Sequence, residues 1–224
     1  MKICVPYFGG DKYRRFVDAW FESYAKTGLT HEVVVITSRG HDRSHRWTVH
    51  EIDLSPYESR FREGQPFDVK GALVARAQVE IPDDLLVLDA DAEVRIDPVP
   101  ALSRITSPIA IPVDHGSLIY RRHPFLSPPF GYVRKLCAGV MYFGKRNAHA
   151  LCDSYWDAFE ALRAHDYPWS PRLPALLEQN AWSKVHADLS AQTLPHVFNW
   201  SERFLGPNPN TIINHDYGPF KMSG

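Results

Sequence analysis

The sequence predicts an α/β fold built on a mostly parallel central sheet, and two observations carry that prediction. Short runs rich in Val, Ile and Leu, such as HEVVVIT at 31–37 and LLVL at 85–88, have the unbroken apolar character of strands buried on both faces. Between such runs lie segments with apolar residues at helical spacing, so that strand and helix alternate through the first half of the chain.

Taken in order, residues 2–8 (KICVPYF) form an apolar strand that ends at Gly9 and Gly10. In residues 12–26, Phe16, Val17, Trp20, Phe21 and Tyr24 line one face of a helix that closes near Gly28. The run at 31–37 completes a strand–helix–strand unit, which requires a right-handed crossover. A short strand at 47–54 follows, then a helix at 67–79 marked by Val69, Leu73, Val74 and Ala77. The strand at 85–88 runs straight into Asp89, Ala90 and Asp91.

Beyond it, 109–113 and 116–120 read as short strands, 124–132 as a Pro-rich aromatic loop and 137–144 as a strand of small residues. A helix at 147–162, a second Pro-rich loop at 168–174, a helix at 175–184 and an irregular tail with a short strand-like run at 211–213 complete the reading. With 224 residues and no internal repeat or low-complexity linker, one domain spanning 1–224 is expected.

Composition excludes several classes. A formal net charge of -1 gives no general basic field for nucleic acid. Three cysteines (Cys4, Cys137 and Cys152) without CxxC spacing provide neither a disulfide framework nor a structural zinc site. Cys4 and Cys137 lie in apolar runs and are expected to be buried thiols. No stretch has the length and apolarity of a membrane span, and the first residues lack a secretory signal, so a cytoplasmic protein is expected.

Asp89 and Asp91 carry the strongest chemical signal. They flank a residue that points the other way, at the C-terminal end of a buried strand, where α/β sheets place ligands. Two adjacent carboxylates repel unless a cation lies between them, and Mn²⁺ or Mg²⁺ with phosphate oxygens completing its shell suits oxygen ligands of this kind. In the tail, His215, Gly218 and Lys221 have H-x-x-G-x-x-K spacing. The imidazole is a third ligand for Mn²⁺, Gly218 lets backbone N–H groups approach a phosphate, and Lys221 supplies a positive charge to a departing diphosphate.

The acidic pair combined with the late H-x-x-G-x-x-K resembles the retaining GT-A glycosyltransferases of the glycogenin and lipopolysaccharide galactosyltransferase type, glycosyltransferase family 8. That resemblance implies that Asp89, Asp91 and His215 bind Mn²⁺, with Ala90, Gly218 and Lys221 against the donor diphosphate. VPYFGGDKYRRF resembles the family's first strand and loop, making Pro6, Tyr7 and Phe8 candidates to cradle base and ribose. FDVKGALVARA resembles the helix before the acidic pair, with Lys70 facing the donor, and LCAGVMYFGKRNAHAL resembles the "NAGVM" strand, with Ala138 and Gly139 close to the sugar. LLEQNAWSKV resembles the "DQD" stretch and brings Glu178 and Gln179 toward the transferred sugar. The chain departs from the family at Cys137, where an asparagine is usual, at Glu178-Gln179-Asn180, and at Met222-Ser223 after the lysine.

The implied activity moves a sugar from a nucleoside diphosphate sugar, a UDP-sugar in the first place, to a glycan, protein, small-molecule or modified-nucleobase acceptor. Retention would call on Gln179 or Glu178 to stabilise the oxocarbenium-like centre. Inversion would need a base, for which Asp114, Glu178 and Asp216 are candidates. Arg121, Arg122, Arg134 and Lys135 could follow acceptor phosphates, although a solvated surface is the simpler reading, so DNA is an acceptor that is not favoured. His115 at a strand end is a structural or surface residue on the simplest reading, and His41, His45 and His50 are expected to be solvated. Phe130, Tyr132, Trp169 and Trp200 are acceptor-stacking candidates, whereas Trp156 and Phe159 read as core.

Two alternatives accompany this reading. A phosphohydrolase resembling the haloacid-dehalogenase type would use Asp89 as nucleophile without needing His215, although its motif normally opens the chain. A nucleotide-sugar-binding protein without turnover would bind donor and release nothing.

Overall fold

In a computed structural model of the chain, which describes residues 1–8, 10–38, 47–113, 136–164 and 175–215, the apolar runs become neighbours in one sheet. β1 (Lys2–Tyr7) leads into α1 (Asp11–Ala25), β2 (Val33–Ser38) and β3 (Val49–Ile52), and the three strands pair in parallel. A 3-10 turn at Ser55–Arg60 and α2 (Pro66–Glu80) return the chain to β4 (Leu85–Leu88), which pairs with the free edge of β1. The connection thus changes direction between β1 and β4, and crevices at such switch points, outside the strand C-termini, are where open α/β sheets bind ligands.

After β4 come β5 (Ala92–Val94), a short α3 (Val99–Leu102), β6 (Ile109–Pro112) and β7 (Val140–Phe143). Two long helices follow, α4 (Ala148–Ala164) and α5 (Ala175–Asp188), and then β8 (Gln192–Leu194), a 3-10 turn at His196–Phe198, α6 (Glu202–Leu205) and β9 (Ile213–His215). The sheet order is β3-β2-β1-β4-β7-β6-β8. Only β7 runs against the others, pairing antiparallel with both β4 and β6. A second sheet is the antiparallel pair β5–β9.

Each face of the large sheet has its own apolar layer. On one side α2, α4 and α5 pack over Cys4, Ile36, Leu85, Val87 and Met141, with Tyr155, Phe159 and Trp182 fully buried. On the other, Val17, Trp20 and Tyr24 of α1 cover Ile3, Val5, Leu86 and Leu88. The alternation of Leu85 and Val87 to one layer with Leu86 and Leu88 to the other is the two-residue period of a strand buried on both faces. Pro66 starts α2 at its first turn, where a missing N–H costs nothing.

The structure departs from the sequence reading in particular places. The strand in the tail is Ile213–His215, starting two residues later than the strand-like run at 211–213, because β5 offers it a hydrogen-bonding edge, with Ala92 opposite His215. Cys137 is buried but precedes β7 in a turn, not in the strand. His50 is partly buried and pairs with Glu80 at 3.1 Å instead of being solvated. α2 is enclosed on nearly every side, Asp68 and Lys70 included, since it lies between the sheet and the α4–α5 pair. The strand at 116–120, the loops at 124–132 and 168–174, and Asp114, His115, His41, His45, Asp216, Gly218 and Lys221 lie outside the described residues, as do Arg121, Arg122, Arg134, Lys135, Phe130, Tyr132 and Trp169.

Candidate metal and donor site

The site forms where the ends of three strands, β4, β7 and β9, meet. β4 delivers Asp89 and Asp91, and because β7 runs antiparallel beside it, the residue before β7 meets the residue after β4: the Asp89 N–H donates to the Gly139 carbonyl at 2.8 Å. β9 brings in His215 through its pairing with β5. One ligand atom from each of Asp89, Asp91 and His215 lies within 4.8 Å of the others. The acidic turn is fixed at its far side by the Trp20 indole N–H, which donates to the Ala92 carbonyl at 2.6 Å.

Two carboxylates and one imidazole nitrogen form a donor set suited to a hard or borderline divalent ion. The backbone leaves room for one. A Cβ on Gly139 would stand 2.9 Å from Asp89 Oδ2 and 3.0 Å from His215 Nε2, so a side chain there would fill the cluster. The residues therefore fit a cation, and His215 Nε2 faces Asp91 Oδ1 at 3.1 Å. Burial works against a charged His215 ring, but Cys137 and Asp91 outweigh it and hold the imidazole well above its usual range.

Behind the acidic pair lies a buried cation. Lys70 Nζ lies 2.8 Å from Asp89 Oδ1, donates to Asp89 Oδ2 at 2.9 Å and to the Ala138 carbonyl at 3.3 Å, and lies 3.8 Å from Glu178 Oε1. Burial opposes its charge, yet Asp89 and Glu178 more than compensate and raise its pKa. Glu178, only 2% exposed, is pushed up to about 8 by burial, with Asp89 and Asp68 adding to the push and Lys70 opposing it. Gln179 follows on α5, partly buried.

The end of β1 divides the sequence candidates for base and ribose. Pro6 and Tyr7 are buried within β1, Tyr7 edge-on to Trp47 in the α1 layer. Phe8, at the strand end, is partly exposed and packs 4.9 Å from Tyr13 and 5.8 Å from Phe67. Tyr13 escaped the sequence reading, although it stands in the first turn of α1 directly after the β1 loop. Its phenol is raised by burial and then by the charge of Asp89, against Lys70, with Asp91 adding. Ala90 is half-buried between the two aspartates. Trp200 uses its indole N–H on the Gly206 carbonyl at 2.8 Å.

This architecture is the GT-A glycosyltransferase fold. The chain is similar in structure to the galactosyltransferase LgtC, solved with donor and acceptor sugar analogs, at a TM-score of 0.61 and 13% identity over 98% of this chain and 88% of that one. It is also similar to mouse xyloside xylosyltransferase 1 (TM-score 0.58, 11% identity, 96% and 98% covered). A third is a glycosyltransferase involved in glycosylation of the major capsid of PBCV-1 (TM-score 0.52, 14% identity, 97% and 93% covered). No protein-family model matches the chain, and no curated protein matches it in sequence. Among the described residues no helix is long and apolar enough to cross a membrane.

Proposed function

We propose that the chain is a single-domain, metal-dependent glycosyltransferase that moves a sugar from a nucleoside diphosphate sugar, a UDP-sugar in the first place, to a glycan, protein, small-molecule or modified-nucleobase acceptor. The observation that carries this reading is the convergence of Asp89, Asp91 and His215 at the switch point of a GT-A sheet. A Mn²⁺ or Mg²⁺ ion held by these three would neutralise charge on the donor diphosphate as the anomeric C–O bond breaks.

The protein's own residues do the rest. Phe8 and Tyr13 offer ring faces at the end of β1, where the base and ribose would lie. Lys70 holds Asp89 in place from behind and keeps one carboxylate charge balanced. Glu178 is set to act as a neutral hydrogen-bond donor or as a carboxylate toward the sugar, with Gln179 beside it on the same helix. Gly218 and Lys221 take the diphosphate roles that the resemblance implies, and Asp114 stays a candidate acceptor-side base.

The experiment is a thermal-shift screen of nucleoside diphosphate sugars with and without Mn²⁺, followed by assay of nucleoside diphosphate release. A ligand at a hundred times its Kd adds about 2.7 kcal/mol of apparent stability. A shift that needs both donor and Mn²⁺ is expected. Indifference to every activated sugar, or phosphate release from phosphomonoesters in its place, would overturn the reading.

A further inference from the structure

We propose that Asn199 is the positioning residue of this site: it holds the His215 imidazole with the proton on Nδ1, so that Nε2 faces Asp89 and Asp91 as a lone-pair donor. The inference rests on the metal-dependent reading above.

Partners fix the orientation of the Asn199 amide. Its Nδ2 donates to the Val113 carbonyl at 2.9 Å, so Oδ1 is the end turned toward His215 Nδ1, also at 2.9 Å. The opposite orientation would set Oδ1 against a carbonyl, two acceptors facing each other. An amide oxygen only accepts, so the facing Nδ1 must carry a hydrogen. Cys137 Sγ, 3.3 Å from the same nitrogen, adds a second and weaker acceptor on that side and cannot remove the requirement. Without a metal, Nε2 donates its hydrogen to Asp91 Oδ1 at 3.1 Å; a bound metal replaces that hydrogen, and with Nδ1 still carrying its own the lone pair of the neutral ring is on Nε2.

The clamp is built from one segment. Asn199 is 1% exposed, its N–H donates to the His196 carbonyl at 3.0 Å, and the preceding Phe198 is fully buried. The next residue, Trp200, accepts the His215 N–H on its carbonyl at 2.6 Å. Ring and backbone of His215 are thus held from adjacent positions. A ligand histidine commonly needs such a partner on its second nitrogen, and losing it typically weakens metal binding by about 10–100-fold.

The test measures Mn²⁺ affinity of the full chain by electron paramagnetic resonance for the natural protein, Asn199→Leu and Asn199→Asp. It adds the His215 ring tautomer from long-range ¹H–¹⁵N correlation in the Cd²⁺-loaded natural protein, with the signal identified by its loss in His215→Ala. Expected are at least a tenfold loss for Asn199→Leu at unchanged metal-free melting temperature, affinity within a few-fold for Asn199→Asp, which keeps an acceptor, and an Nδ1–H tautomer. Mn²⁺ binding by Asn199→Leu at natural affinity, or an Nε2–H tautomer, would overturn the proposal. If Asn199→Leu does not fold, the tautomer decides alone. Failure of the natural protein to bind Mn²⁺ at all would instead overturn the metal-dependent reading on which this one stands.

Discussion

Gly139→Ala is the sharpest perturbation the structure offers, because it adds one methyl group at the centre of the site. The glycine's φ is not in the left-handed region, so alanine meets no backbone strain there, and the whole effect comes from contact. The new Cβ would lie 2.9 Å from Asp89 Oδ2, 3.0 Å from His215 Nε2 and closer still to His215 Cε1. Carbon atoms settle at about 3.5–4.0 Å, so the ring must retreat by roughly an ångström or the carboxylate must turn away. Neither motion is free: the ring is tied to Asn199 at 2.9 Å, and Asp89 is tied to Lys70 at 2.8 Å and through its N–H to the Gly139 carbonyl itself. Overpacking of this kind costs about 1–3 kcal/mol of stability. A displacement of about 1 Å at reacting or ligating atoms can cost on the order of a hundredfold in function. The assay is Mn²⁺ titration by electron paramagnetic resonance beside urea unfolding of the metal-free protein. We expect Mn²⁺ affinity to fall by about a hundredfold, more than the 10–100-fold span of a lost partner hydrogen bond would require at its lower end. Natural Mn²⁺ affinity in a folded Gly139→Ala protein would refute the geometry of the site.

Two further predictions concern the buried charges and packing behind the site. A Cβ at Gly71 would meet the Tyr155 hydroxyl, its Cζ at 2.7 Å and Glu178 Cγ at 2.9 Å, so Gly71→Ala should lose about 1–3 kcal/mol in urea unfolding. Part of that loss should return in a Tyr155→Phe background, since the hydroxyl is buried without a hydrogen-bond partner among the described residues; natural stability of Gly71→Ala would discredit this packing. Glu178, raised from an ordinary 4.5 to about 8, holds an extra proton in the folded state between those values. Stability should therefore fall as pH rises through that window, with a limiting slope of about 1.4 kcal/mol per pH unit, and level off above it. Glu178→Gln removes this dependence, so the natural protein should lose stability relative to the variant as pH rises; a difference constant from pH 5 to 9 would contradict it.

Much of the first half was legible because its signals are local. LLVL followed by Asp89 and Asp91 needs only a strand's two-residue period to place both carboxylates beyond a sheet edge. His215 was legible through spacing to Gly218 and Lys221, and the structure adds the reason it arrives: register with Ala92 across β5 and β9. What stayed hidden depends on partners remote in sequence. Asn199 looks like any polar residue after an aromatic until Val113 and His215 are seen on its two ends. Glu178 is marked by the DQD-like stretch, but its burial against Lys70 and Tyr155 shows only in the fold. β8 and β5 are three residues each, too short for a hydrophobic period to show, and each exists because a neighbouring edge, β6 or β9, was waiting for it.

The charge arrangement explains why a lysine is tolerated so deep beside the acidic pair. Burying Lys70 is costly unless it is paired, and Asp89 at 2.8 Å supplies the pairing, with Glu178 a more distant 3.8 Å away. Burial favours the neutral form of Glu178, and the ring of His215 is neutral when it ligates a cation, so Asp89, Asp91 and Lys70 then contribute one net negative charge. A divalent cation would turn that into one net positive charge, the sign that attracts a diphosphate. Were Glu178 ionised, the same cation would leave the cluster neutral and the attraction would vanish. Burial of this one carboxyl, by Tyr155 and the α2–α5 packing around Gly71, thus sets the field in which a donor would be held, and it links the packing of the helical layer to the chemistry at the end of β4.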